Sequence, residues 1–292
     1  MISTTPKLSI IIPALNEERY LPTLLTDLSR QTYTDFEVII VDGQSDDRTI
    51  EKAEHFKHRL PKLTILKSDF RNVCLQRNQG ASAATADLIL FMDADNRLPT
   101  YFLQGLKYRL DLTDPDIFTT WIASEGNTGN SLAIATIINL YFDLQKGTKN
   151  PPTIEAMLGF KKEVFNKLKG FNPKLFINEG NDVAKKALKR GYHFELFKDP
   201  TYIFSLRRLR KQGTISLIGN VAQLEIARLL GQKMSTKKVS KLYPMQGGHF
   251  FELEMDNRNL FDSLIQKLKL PQQRNKLVKF ARSFLFEEKE SD

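Results

Sequence analysis

Residues 87–99 read Asp-Leu-Ile-Leu-Phe-Met-Asp-Ala-Asp-Asn-Arg-Leu-Pro. An apolar run from Leu88 to Met92 ends abruptly in two acids, Asp93 and Asp95, separated only by Ala94. A buried strand that stops in Asp-x-Asp carries paired carboxylates to the rim of a sheet. Hard divalent cations take oxygen ligands and fill their remaining positions with substrate phosphates, so this pair suits a metal that holds a diphosphate. On this segment alone, a polar loop capping the helix after Pro99 is the competing reading.

Three further segments carry groups of the same kind. Pro13-Ala14-Leu15-Asn16-Glu17 follows an apolar run at 8–12, and Asp42-Gly43-Gln44-Ser45-Asp46-Asp47-Arg48-Thr49 follows another at 36–41. Arg77-Asn78-Gln79-Gly80 precedes the run that ends in Asp93. A carboxylate such as Asp42 accepts from a pyrimidine N–H, and an arginine such as Arg77 pairs with phosphate or stacks on a base. Taken singly, each has an ordinary structural use: helix caps for Asn16 and Asp47, a turn at Asp42-Gly43, a surface charge for Arg77. Their joint order and spacing are what those uses fail to predict.

The elements that must position these groups alternate in type. Strand-like runs at 8–12, 36–41, 63–66 and 88–92 are separated by helical patterns at 17–29, from Asp46 or Asp47 toward His58, and at 72–84. Continuous apolar strands in β-α alternation specify a parallel sheet covered by helices on both faces. Ligands of such sheets bind beyond the carboxyl ends of the strands, where Asn16, Glu17, Asp42, Asp93 and Asp95 all fall. After residue 115 the alternation becomes irregular: a strand at 117–122, an apolar helix at 132–144, a loop at 147–152, a short helix at 161–168, a helix at 182–190 stopped by Gly191, and strands at 194–197 and 202–204. From Thr214 the pattern is helical, at 215–230, 260–268 and 277–286. The simplest partition is a catalytic domain over 1–212, with a nucleotide-binding half at about 1–100 and an acceptor-side half at about 101–212, followed by a basic helical extension over 213–292.

Composition narrows the class. With 41% apolar and 26% charged residues the chain is an ordinary globular protein. Cys74 is its one cysteine, which excludes an intramolecular disulfide framework and fits a reducing compartment. No secretory leader or membrane-length apolar run is read, so the expected location is cytoplasmic. The charge is unevenly placed: residues 201–292 carry 17 Lys and Arg against 9 Asp and Glu, whereas the first 200 carry 26 against 25. A basic extension suits anionic headgroups at the inner face of a membrane, a phosphorylated substrate, or simply a solvated helical face. Nothing matches a nucleic-acid module, and no nucleic-acid partner is expected.

With these residues in hand, the chain resembles an inverting family 2 glycosyltransferase of the GT-A fold over roughly residues 8 to 210. The resemblance rests on Pro-x-x-Asn-Glu at 13–17, Asp-x-x-Ser-x-Asp-x-Thr at 42–49, Arg-Asn-x-Gly at 77–80 and Asp-x-Asp at 93–95. Gly170-Phe171-Asn172 and Glu179-Gly180-Asn181-Asp182 resemble the acceptor-side portion of the same family. It implies a Rossmann-like, mostly parallel central sheet flanked by helices, and a hexosyltransferase-type enzyme using a UDP- or GDP-sugar with Mg²⁺ or Mn²⁺. It implies a donor site built from Pro13, Asn16, Glu17, Asp42, Ser45, Arg77, Asn78, Gly80, Asp93 and Ala94, with Glu17, Asp42 and Arg77 on the nucleotide. Asp93 would contact ribose or metal, and Asp95 would ligate the metal bridging the diphosphate. The mechanism implied is direct displacement at the anomeric carbon, with a carboxylate taking the acceptor's proton.

The chain departs from the family where that carboxylate belongs. Relatives usually read Glu-Asp-x-Asp, and Gly180 stands where the first Asp would be. Glu179 and Asp182 are the surviving acids. Glu179, expected in the loop before a helix, is favoured as the base, and Asp182, near the helix start, has a capping or dipole role as its alternative. If both are structural, a retaining or a non-catalytic nucleotide-sugar-binding protein follows; a sugar nucleotidyltransferase would want a glycine-rich loop that Pro13–Glu17 lacks. Arg207 and Arg208 resemble the paired arginines that many members carry after the acidic motif, which would clamp a diphosphate or acceptor phosphate; a solvated helix start is the alternative. His249, behind Gly247 and Gly248, is either an ordinary lone histidine with no metal role or a further ligand that closes over the site, better for Mn²⁺ than for Mg²⁺. The apolar face at 215–230 packs on the domain or a second subunit, or lies on an anionic membrane. The acceptor is expected to be a glycan or a lipid-linked molecule.

Overall fold

The computed structural model describes residues 6–124, 129–148, 153, 155–175 and 179–205. Four strands, β1 (Leu8–Ala14), β2 (Phe36–Asp42), β3 (Leu63–Lys67) and β4 (Leu88–Met92), alternate with helices α1 (Leu21–Ser29), α2 (Thr49–Glu54) and α3 (Val73–Ala83). Then follow α4 (Phe102–Thr113), β5 (Ile117–Ala123), α5 (Gly129–Gln145), β6 (Met157–Lys161), α6 (Lys162–Lys167), α7 (Glu179–Lys189) and β7 (Phe194–Ile203). The local chemistry explains several boundaries. Pro22 enters the first turn of α1, where its missing N–H costs nothing. Asn72 caps α3, its Oδ1 accepting from Leu75 N at 3.0 Å.

The strands form one sheet in the order β3-β2-β1-β4-β6-β5-β7. β1 runs parallel to β2 and β4, β2 parallel to β3, and β5 parallel to β7. β6 is antiparallel to both neighbours, with Phe91 opposite Leu158 and Met92 opposite Met157. The expected mostly parallel, helix-flanked GT-A-like sheet is therefore present. Ile10, Ile12, Val38, Ile40 and Leu90 are fully buried, as continuous apolar strands covered on both faces must be. Phe91, Phe160, Phe165 and Phe171 pack ring against ring, with centroids 4.9 to 6.4 Å apart, and tie β4 to β6, α6 and the segment after it.

The second half differs from expectation in three places. The helix expected at 161–168 is preceded by an unanticipated strand, β6, and begins only at Lys162. The two strands expected at 194–197 and 202–204 are one, β7, whose pairing with β5 is irregular between Thr120 and Ile122. α7 starts at Glu179, so this residue lies in a helical first turn rather than in a loop. The described residues fall into two compact units, one holding residues 6–123 and 139–205 and the other residues 124 and 129–138. The expected boundary at 212, the basic helical extension, Arg207, Arg208 and His249 lie outside the described residues.

Candidate active site

The loops after β1 and β2 are stapled to each other. Asn16, held at φ 55°, donates its backbone N–H to Ser45 Oγ at 2.9 Å, and its side-chain Oδ1 accepts from Asp46 N at 2.8 Å. Glu17 N donates to Thr49 Oγ1 at 2.7 Å and Glu18 N to Asp47 Oδ2 at 3.1 Å. Asn16 thus clamps one loop to the next instead of capping a helix. Between them lies Asp42, 4% exposed, whose carboxylate accepts from Ser45 N at 3.2 and 3.3 Å. Pro13 and Ala14 end β1 beside Val41 and Asp42 in the sheet register.

Gln76, which sequence reasoning missed, holds these two strand ends together. Its Nε2 donates to Ala14 O at 2.9 Å and to Val41 O at 2.7 Å. A Cβ at Gly43 would come 2.9 Å from that nitrogen, so the turn passes directly over the amide. Gly80 serves a similar purpose one turn on: a Cβ there would meet Ile11 Cγ2 at 2.4 Å, and its absence lets α3 lie flat on β1. Its neighbour Asn78 faces the other way, bonded to the backbone of Phe171.

The loop after β4 is fixed from several directions. Asp93 N donates to Ala156 O at 3.0 Å, and Asn96 Nδ2 donates to the same oxygen at 2.6 Å. Arg97 and the N–H of Leu98 both reach Asp27 on α1. Arg97 also exchanges backbone hydrogen bonds with Ile203, the residue after Tyr202 on β7. Tyr202 is fully buried and its hydroxyl has no hydrogen-bond partner among the described residues. Burial first, then the charges of Asp93 and Asp95, hold that hydroxyl far above the ordinary tyrosine range. The two aspartates of the Asp-x-Asp thus share one loop, and both charges are felt at the buried Tyr202 hydroxyl. Both are partly exposed, whereas Ala94 between them is buried.

Arg77 is the hub of the site. Only 3% exposed, it donates through Nη2 to Asp93 Oδ1 at 2.9 Å and through Nη1 to Glu179 Oε1 at 2.8 Å. Nη2 also reaches Glu155 O at 3.2 Å. Burial opposes its charge, but Asp93, Glu179 and Glu155 outweigh it and hold the guanidinium firmly protonated. The arginine expected on the nucleotide is therefore turned into the protein, joining the loop after β4 to α7. Glu179 is buried beside it. Asp182 turns instead to Lys186 on its own helix, 2.6 Å away, as a first-turn acid with an i,i+4 partner does.

Glu155, two residues before the start of β6, is the second member of the site that sequence reasoning missed. Its Oε1 accepts from Gly180 N at 2.9 Å. Burial, and then the neighbouring Glu179 charge, raise its carboxyl well above the usual range against the pull of Arg77 and the Gly180 N–H. Cys74 lies in the same field, its thiol pushed up to about 12 by burial and Glu179, so it is no nucleophile.

Asp93 and Asp95 supply hard oxygens of the type Mg²⁺ or Mn²⁺ takes, and no group of three His, Cys, Asp or Glu suited to a metal occurs among the described residues. A two-carboxylate set of this kind fits an ion that draws its other ligands from a diphosphate and water.

Comparison with known proteins adds the following. The family model described as glycosyl transferase family 2 matches residues 9–169. A PGL/p-HBAD biosynthesis glycosyltransferase of Mycobacterium bovis is 40% identical over 94 residues, which is 32% of this chain and 37% of the relative. The glycosyltransferase YibD of Escherichia coli is 33% identical over 136 residues, 45% of this chain and 40% of that protein. The matches with these relatives thus span no more than about two-fifths of their length. Among solved structures, the mannosyltransferase PcManGT of Pyrobaculum calidifontis in complex with GDP-Man and Mn²⁺ superposes with a TM-score of 0.62 at 17% identity, covering 97% of this chain and 81% of that one. Staphylococcus aureus TarS 1–349 in complex with UDP gives 0.56 at 17% identity, covering 95% and 87%. At such identities the likeness is one of fold.

Proposed function

The chain belongs to glycosyl transferase family 2, and from that premise we propose that it moves a sugar from a UDP- or GDP-sugar to an acceptor hydroxyl, with inversion and with Mg²⁺ or Mn²⁺. The observation that carries this is the placement of Asp42 as the last residue of β2 and of the Asp93/Asp95 pair just past the end of β4, strands that flank β1 on either side. Such a crevice suits a nucleotide whose base meets Asp42 and whose diphosphate meets the aspartate pair.

Each part of the chain has a task in this reading. Asp42 accepts a base N–H, its orientation set by Ser45, while Asn16 and Glu17 keep the neighbouring loop in register. Asp93 and Asp95 would hold the metal, which would supply a Lewis acid for the departing diphosphate. Arg77 acts through its partners: it fixes Asp93 on the donor side and Glu179 on the acceptor side in one geometry. Glu179 is favoured over Asp182 as the carboxylate that takes the acceptor's proton, because it is joined to the donor side through Arg77 while Asp182 is turned toward Lys186. The sugar's anomeric carbon exchanges its bond to the diphosphate oxygen for one to the acceptor oxygen. The solved neighbours were captured with GDP-Man and Mn²⁺ and with UDP, which supports a nucleotide-sugar donor of either base.

No helix among the described residues is long and apolar enough to cross a membrane. A lipid-linked or glycan acceptor is what the family resemblance implies, and the basic C-terminal residues suit either an anionic membrane surface or a solvated face.

The test is calorimetric titration of the full chain with UDP and with GDP, with and without MnCl₂, alongside release of nucleoside diphosphate from UDP- and GDP-sugars. We expect metal-dependent binding of one nucleotide and turnover of its sugar, with Asp95→Asn abolishing the metal dependence. Absence of binding to either nucleotide under both conditions would sink the assignment. Binding without turnover across donors and acceptors would favour the non-catalytic alternative that Gly180 suggests.

A further inference from the structure

Position 180 has no room for a side chain. A Cβ built there would lie 2.7 Å from Glu155 Cγ, 2.8 Å from Thr153 Oγ1 and 3.2 Å from Leu158 Cδ2. The nearest of these is the stem of a carboxylic acid. An aspartate at 180, the residue that the resemblance leads one to expect, would have to displace Glu155. The acid missing from α7 is thus matched by an acid entering the same volume from the segment before β6.

Glu155 also makes the contacts that hold this corner. Its Oε1 takes the Gly180 N–H, one of the backbone donors that the first turn of a helix leaves without an intrahelical acceptor. Next to it, Asn181 Oδ1 accepts from Thr153 N at 2.7 Å and from Thr153 Oγ1 at 3.0 Å, so the same segment fastens α7 at consecutive residues. Glu179 Oε1 is occupied by Arg77, whereas its Oε2 is buried with no hydrogen-bond partner among the described residues, and the Glu155 side chain is the neighbouring acid that interacts with Glu179. A protonated Glu155 gives that oxygen its hydrogen and still accepts from Gly180. Burial and the Glu179 charge favour this state.

We propose that Glu155 is a positioning residue that takes the place of the absent acid at 180, and that by filling this space and bonding Gly180 and Glu179 it sets the orientation of the acceptor-side carboxylate. The inference rests on the glycosyl-transfer reading for its kinetic consequences, but its spatial content is independent of it.

Two measurements on the full chain test the proposal separately from that reading. The first is a stability cycle of Gly180→Asp, Glu155→Ala and the double variant. Gly180→Asp is expected to lower Tm by about 5 °C or more in the parent, as overpacking does, and by less than half of that in the Glu155→Ala background. Equal losses in both backgrounds would overturn the proposal, whatever the protein's activity. The second is turnover of UDP- and GDP-sugars with MnCl₂. Glu155→Ala should lower kcat by about 30-fold, the equivalent of one buried acceptor left unpaired, with the Kd for UDP or GDP unchanged. Glu155→Gln, which can accept from Gly180 and donate to Glu179, should restore kcat to within about 3-fold of the parent, as matched hydrogen bonding allows. The double variant should recover part of the loss. An unchanged kcat in Glu155→Ala, or an equal loss in Glu155→Gln and Glu155→Ala, would overturn the positioning role. If the parent turns over no donor, the glycosyl-transfer reading fails on that result while the stability cycle still decides whether Glu155 occupies the site of residue 180.

Discussion

Asn78 and Phe171 exchange a reciprocal pair of hydrogen bonds. Asn78 Nδ2 donates to Phe171 O at 2.8 Å, and Phe171 N donates to Asn78 Oδ1 at 2.9 Å. A side-chain amide thus stands in for a paired strand and fastens α3 to the segment after α6. Gly170, with φ 64°, makes the approach possible, because a Cβ there would meet Asn78 Oδ1 at 2.5 Å. Asn78→Ala removes both partners at once. We expect a loss of about 2–3 kcal/mol in urea denaturation, with Asn78→Asp, which keeps the acceptor but not the donor, nearly as severe. Two unchanged midpoints would show that water replaces the amide freely.

The pairing of Arg77 with Asp93 and Glu179 makes a second, sharper claim. Removing a buried partner leaves the remaining charges uncompensated, at a cost of about 3–5 kcal/mol. Arg77→Gln should destabilise by this amount, and Arg77→Lys should recover only part of it, since an ammonium cannot fork between two carboxylates. In a double-mutant cycle with Glu179→Gln the losses should be strongly less than additive, because the neutral glutamine no longer needs a counter-charge. Additive losses would mean that the pair is not coupled.

Glu37 provides a pH-dependent test remote from the site. Burial works to raise its carboxyl, but hydrogen bonds from Lys62, Ser9 and Thr85 prevail and hold it at about 2. Its folded value lies below its unfolded one, so the stabilisation is fully present above the unfolded value of about 4.5 and is lost as pH falls toward 2. Lys62 is half exposed, which reduces the contribution to an order of 2 kcal/mol. Glu37→Gln should flatten the decline of stability between pH 4.5 and 2 measured by denaturant titration. An unchanged slope would remove Glu37 from the acid response.

β3, half-buried at the sheet's edge, was legible only as a short apolar run interrupted by Thr64, whereas β1, β2 and β4 each centre on an apolar run that ends in a turn residue or an acid. That is the pattern a doubly covered parallel strand must show. Asp42, Asp93 and Asp95 were legible for the same reason, since charge directly after a buried run falls at the sheet's rim. β6 was not: Met157–Lys161 is short and flush against α6, and nothing in five residues distinguishes a strand from the first turn of the helix that follows. Its identity depends on β4 and β5 lying on either side. Gln76 and Glu155 were missed because their partners are backbone groups far along the chain, Ala14, Val41 and Gly180. The one signal for Glu155 was indirect, an acid among apolar neighbours in a chain whose expected acid at 180 had become glycine.

The reversal of β6 has a consequence for how this site is supplied. β1, β2 and β4 deliver their last residues to the rim of the sheet; a strand running against β4 delivers its first. Met157 lies opposite Met92, so Glu155 and Ala156 arrive at the level of Asp93, and Ala156 O receives the Asp93 N–H. Had β6 run with its neighbour, those residues would stand at the opposite rim, about 15 Å away for a strand of this length. Chain direction in one five-residue strand thus decides that the two halves of the polypeptide meet over the same aspartates.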